Sequence, residues 1–217
     1  MSQSGAPNVG NDLIRIHHAI TRGLEVGVHY THKLLEKRMA ADSGFVDYLR
    51  ALVSVLDSHH LVEDDVAFPY LRQKNLPAPY EILIQEHQEM AGLLSSIQQM
   101  LPNLANSQTL NEVNRALQQI LEIWRAHIKR EEESISPEIT NTIMSAEEQA
   151  ELGKSMAQHA QQHSGPDYLV IPFVLYNLPA QERAVMMGLM PPVITQELLP
   201  GPWKEKWAAM RPYLLMD

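Results

Sequence analysis

Between residues 12 and 140 apolar positions recur in alternating steps of four and three, and prolines and glycines cut this pattern into four long segments. That period belongs to a helix face, with little of the strict alternation of a strand. The first segment carries Leu13, His17, Ile20, Leu24, Gly27, Thr31 and Leu34, and is expected to start from Asp12 as its N-cap and end near Ala41. The second starts near Phe45 and continues Leu49, Leu52, Leu56, His59, Glu63, Val66, Tyr70. The third opens with Pro79 in its first turn, then Tyr80, Leu83, His87, Met90, Leu94, Ile97, Leu101. The fourth reads Leu110, Val113, Leu117, Ile120, Trp124, His127, Glu131, Ser134 and stops before Pro137. A sustained 4,3 alternation is the rule for helices packed side by side. It predicts an all-α fold, an up-down antiparallel four-helix bundle over residues 12–140.

Six of these seam positions, where apolar residues are expected, instead carry histidine or glutamate: His17, His59, Glu63, His87, His127 and Glu131. Two pairs repeat one spacing, a histidine, an acid four residues on and a proline ten residues on: His59, Glu63, Pro69 and His127, Glu131, Pro137. Side chains at i and i+4 share a helix face, so each pair can grip one object. His17 and His87 lie near the starts of the odd helices, and the two pairs lie toward the ends of the even ones. Antiparallel neighbours bring all six to one level. The register turns His18 about 100° away from His17, so His18 and His29 are read as solvated, on an outer face with Arg22 and Glu25. His59 keeps the strict alternation and is preferred to its neighbour His60. Asp64 and Asp65 fall outside the seam, facing water or supporting the site.

A buried polar group without a partner costs about 1–3 kcal/mol. Six would cost roughly 6–18 kcal/mol, as much as a whole domain's stability of about 5–15 kcal/mol. Mutual hydrogen bonding is one way out, and a catalytic triad is poorer still, since none of the six is a serine or cysteine that could act as nucleophile. A metal centre fits best, since imidazole and carboxylate suit iron, zinc or manganese and buried charge is tolerated when it coordinates. The zinc-protease pattern H-E-x-x-H is absent, and six donors exceed what one tetrahedral zinc takes. Two metals bridged by the two carboxylates match the donor set.

Composition narrows the function classes. A formal net charge of −9 argues against a nucleic-acid partner. The absence of cysteine removes disulfides, thiolate zinc sites and cysteine-held iron–sulfur clusters, and is compatible with a reducing cytoplasm. The opening MSQSGAPNVGN has no basic segment followed by an apolar one, so no export leader is expected. The run YLVIPFVLYNL, residues 168–178, is too short for a bilayer and contains a proline, so no membrane span is expected.

Four stretches taken in order, "IHHAI", "HHLVEDDVAFP", "QEHQEM" and "HIKREEESISP", resemble those of hemerythrin-like (HHE cation-binding) proteins. The resemblance spans roughly residues 12–140. It implies a non-haem di-iron centre bridged by Glu63 and Glu131, with His17, His59, His87 and His127 as terminal ligands. The family's oxygen carriers have another histidine one turn after the position of His87, where this chain has Ala91. With no donor there, one metal is expected to keep an open position. That would shift the balance from reversible oxygen carriage toward sensing of, or redox chemistry with, oxygen, peroxide or nitric oxide.

Residues 141–217 lose the long seams. Ser145 with Glu148 three residues on forms a capping box, so a further helix is expected. Beyond it frequent prolines should chop the chain into short amphipathic helices, forming a lid on the bundle or a homodimer surface. His159 and His163 are spaced four apart without an accompanying acid and are read as surface residues; Trp203, Trp207 and Tyr213 are read as core or interface. The expectation is a cytoplasmic di-iron protein with a small diatomic or peroxide ligand. Its competitors are a di-iron enzyme that consumes peroxide or oxygen, and a structural protein stapled by a redox-silent metal.

Overall fold

The computed structural model describes residues 8–216, all of whose regular structure is helical. The opening stretch read for an export leader therefore lies mostly outside the described residues. Among the described residues no helix is long and apolar enough to cross a membrane.

Helix α1 spans Val9–Lys37. Its cap is Asn8, whose side chain accepts from the Asn11 N–H, and not Asp12, which sits in the first turn and pairs with Arg15. The earlier start has a packing cause. Asn8 also donates to Asn141 Oδ1 at 2.9 Å, and the Val9 N–H donates to Gln149 Oε1 at 3.0 Å. The helix ends before Ala41 because Arg38 turns left-handed, at φ 52°, and closes the last turn.

Helix α2, Ser43–Val62, is capped by Asp42, which accepts from the Phe45 N–H. It does not end at Glu63. One wide π-helical turn, Glu63–Ala67, carries the axis into α3, Phe68–Gln73. Such a turn inserts about one residue into the helical count, and the seam slips with it. Ala67 and Leu71 are buried, whereas Val66 and Tyr70, the positions that strict alternation selects, are only half-buried.

Helix α4, Tyr80–Met100, and α5, Ser107–Ser134, complete the long elements. α5 packs on α1 and α4, and α2 packs on α1 and α4. Pairings show α1 and α5 running in opposite directions: His17 lies beside Glu131, while Thr31 donates to Asn114 at 2.7 Å.

Each long helix crosses two separate apolar clusters with the polar seam residues between them. On α1 the order is Leu13, His17, Ile20; from α2 into the π turn it is Leu56, His59, Glu63, Ala67. On α4 it is Leu83, His87, Met90, and on α5 Trp124, His127, Glu131, Ile135. The polar layer is thus sandwiched between two dry cores, where an unpaired polar atom is most costly.

Beyond these come α6 (Pro137–Ile143), α7 (Ala146–His163), α8 (Asp167–Asn177), α9 (Ala180–Leu189) and α10 (Lys204–Trp207). The Ser145–Glu148 capping box forms at the start of α7. α8 packs on α1 and α2, and Pro172 lies inside it instead of ending it. Gly23 admits the Phe173 ring, since a Cβ there would stand 2.7 Å from it. Arg22, placed on the outer face with His18, is recruited by this segment: it donates to Asn177 and to the Tyr213 carbonyl. Trp207 and Tyr213 are buried, and Trp203 is half-buried against the same core.

Candidate metal centre

All six polar seam residues meet in one cluster, each nine-tenths or more buried. Glu63 lies between two helices: its Oε1 is 3.1 Å from His59 Nε2 and its Oε2 is 3.3 Å from His87 Nε2. Glu131 offers Oε2 to His17 Nε2 at 3.2 Å and to His127 Nε2 at 3.5 Å. These separations are short but lack hydrogen-bond geometry. His17 Nε2, His59 Nε2 and all four oxygens of Glu63 and Glu131 are buried without a hydrogen-bond partner. The side chains aim past one another toward shared points.

Acids behind the cluster fix how the rings face. His17 Nδ1 lies 2.8 Å from Glu132, His87 Nδ1 2.8 Å from Asp64, and His127 Nδ1 3.1 Å from Glu86, which Arg130 also holds. A carboxylate at Nδ1 draws the ring proton there and leaves Nε2 as a lone pair. His87 Nε2 and His127 Nε2 then face each other at 3.2 Å. Two lone pairs repel at that distance. They fit as adjacent ligands of one ion, since two metal–nitrogen bonds of about 2.1 Å at right angles place their nitrogens about 3 Å apart. Each of these acids neighbours a cluster residue in sequence: Asp64 follows Glu63, Glu132 follows Glu131, and Glu86 precedes His87.

His59 and His60 both lie at the cluster. Both are buried, His60 stacks on His87 with centroids 4.1 Å apart, and neither of its ring nitrogens has a partner. Donor atoms converge in two groups, His17, His59, Glu63, Glu131 and His60, His87, His127. Ala91 supplies no donor atom, and the third ring nitrogen beside His87 and His127 belongs to His60. Trp124, fully buried, packs its indole against His17, His59, His60 and His127 and donates to Thr21.

The protonation pattern shows what the donors do without a cation. Burial opposes charge on His17, yet Glu131 and Glu132 outweigh it and push the ring up to about 10. Burial and the neighbouring imidazoles push His59 and His60 well below the ordinary histidine range. Burial also disfavours ionised Glu131, but His17 and His127 hold it well below the usual carboxylate range; burial and the Glu131 charge drive Glu63 well above it. Protons on His17 and Glu63 thus stand in for positive charge, and a bound metal displaces them.

A surface dent with no room for even a water molecule, lined by Gly10, Leu13, Ile14, Glu132 and Ile135, borders His17 and Glu131. Among the other residues singled out, His29 is exposed, and His18 is half-exposed and reaches Glu182 at 2.8 Å. His159 does find an acid, Asp65 at 3.1 Å, but no third donor joins it, and His163 is exposed.

No curated protein and no solved structure matched the chain. One family model did, described as Hemerythrin HHE cation binding domain, over residues 10–139. That stretch covers more than half of the 217 residues and contains every buried donor of the cluster. This chain belongs to the hemerythrin HHE cation-binding domain family.

Proposed function

We propose that the protein is a cytoplasmic non-haem di-iron protein that binds, senses or reacts with a small oxidant such as oxygen, peroxide or nitric oxide. In this reading residues 12–140 form an up-down antiparallel four-helix bundle around the centre, and residues 141–217 are a helical extension packed on it. His17, His59, Glu63, His87, His127 and Glu131 hold the metals. The observation that carries it is that His17 Nε2, His59 Nε2 and all four oxygens of Glu63 and Glu131 are buried without a hydrogen-bond partner, although each carboxylate lies within 3.5 Å of two imidazole nitrogens.

Iron suits a mixed imidazole and carboxylate set, and bound there it supplies electron exchange with a small oxidant. The chain does the rest. Glu63 presents one oxygen toward His59 and the other toward His87, and so would hold metal on both sides. Glu132, Asp64 and Glu86 orient the rings and make them stronger donors. The apolar cores above and below keep bulk water away.

The test is to load ferrous iron without oxygen, add oxygen or peroxide, then apply vacuum and follow the visible spectrum. A change that tracks oxidant binding or consumption supports the reading. Product beyond one equivalent per centre identifies turnover. A centre that purifies from native cells with zinc and stays spectrally silent toward oxidants overturns it.

A further inference from the structure

The two donor groups differ, and His60 causes the difference. It follows His59 directly, and neighbours on a helix point about 100° apart. Both rings are nevertheless buried, because α2 is enclosed on this level: α4 flanks it on one side, and α7 lies along the outside of α2 and the π turn. His17, His87 and His127 each spend Nδ1 on a carboxylate, whereas His60 has both ring nitrogens buried without a partner.

A packing role does not explain this. His87 is already stacked by Phe68, at 5.7 Å and 15°, a side chain with no polar atom to satisfy. His60 stacks on the same ring at 4.1 Å and the same 15°, but with two polar atoms exposed to neither water nor protein. What separates the two rings is a nitrogen donor, and it converges with His87 and His127.

Building on the two-metal reading above, we propose that His60 is a seventh metal-binding side chain, which completes a three-imidazole position with His87 and His127. The other position then has His17 and His59, and Glu63 and Glu131 are shared between the two. The positions become chemically unequal. With both carboxylates shared, the positions differ by one imidazole, and the three-imidazole position favours iron or zinc over manganese.

Cobalt(II) titration of the full-length metal-free protein, read by calorimetry and by paramagnetic proton NMR, tests this without any oxidant. In the wild type each of His17, His59, His60, His87 and His127 should give one hyperfine-shifted, exchangeable imidazole N–H. His60→Phe keeps an aromatic ring to stack on His87 but removes the donor. It should retain the first cobalt, lose the His60 signal and weaken the second cobalt by roughly 100-fold or more. Wild-type dicobalt protein without a shifted His60 resonance would overturn the inference, and needs no variant to fold. So would a folded His60→Phe protein that takes up both ions with wild-type affinity; the two-metal reading would survive either result. Wild-type protein that takes up no cobalt would overturn both.

Discussion

At the scale of single residues, the centre depends on pairs of neighbours with opposite assignments. Glu131 faces inward, and Glu132, the next residue, reaches His17 from behind. Glu63 and Asp64 divide the same tasks between the cluster and His87. Carboxylates behind metal-bound imidazoles hold the ring orientation and raise its basicity, and losing one typically costs 10–100-fold in metal affinity. Glu132→Ala should therefore weaken metal binding by about 10–100-fold while leaving the number of bound ions unchanged, as measured by competition with a chromogenic chelator. A change in stoichiometry would instead place Glu132 among the ligands. Asp64 reads as facing water or supporting the site, but nothing in the sequence sets Glu132 apart from a solvated charged face. Their signal is adjacency to an inward donor, visible only once the inward donors are known.

At the scale of elements, the seam was legible wherever the helix is regular. Leu13 to Thr31 and Tyr80 to Leu101 bury the residues that the 4,3 alternation selects. It failed after Glu63, because a wide turn shifts the register by one and Ala67 and Leu71 replace Val66 and Tyr70 on the inside. Both registers offer apolar residues there, so the choice belongs to packing of Phe68 against Tyr80 and His87, a long-range fact. The start of α1 was misread for a similar reason: Asn8 and Asp12 are both good caps, and partners far along the chain, Asn141 and Gln149, decide between them. The C-terminal segment docks equally closely. Gly44, in the first turn of α2, faces the backbone of the final helical turn, and a Cβ added there would lie 2.0 Å from the Ala209 carbonyl oxygen. Since backbone and not a flexible side chain stands in the way, Gly44→Ala should destabilise the protein by roughly 1–3 kcal/mol, read as a lower urea midpoint. An unchanged midpoint would show that residues 208–213 are not held against α2.

At the scale of the whole molecule, two apolar cores meet at a polar layer, so stability, pH and metal binding are linked. The ring of His17, raised from 6.5 to about 10, contributes stability that is full below pH 6.5 and is lost as pH rises through 10. Glu63, raised above its ordinary 4.5, acts with the same sign, because its carboxyl must ionise inside the core as pH rises. Glu131 is held down and acts oppositely, its contribution being lost only as pH falls below 4.5. Metal-free protein should therefore melt at progressively lower temperature from about pH 6 to about pH 9. Metal replaces the protons on His17 and Glu63, so metal-bound protein gains affinity over the same range, and the rise in Tm on adding metal should widen with pH. Calorimetric scans with and without metal check this; a metal-induced rise that shrinks toward alkaline pH would contradict the proton assignment. The most direct test of the two-metal centre is native mass spectrometry of the intact chain after anaerobic loading with ferrous iron. The account predicts a mass increase of two iron ions per chain, reduced to fewer ions in Glu63→Ala; a wild-type chain that saturates at a single iron, or binds none, would contradict it.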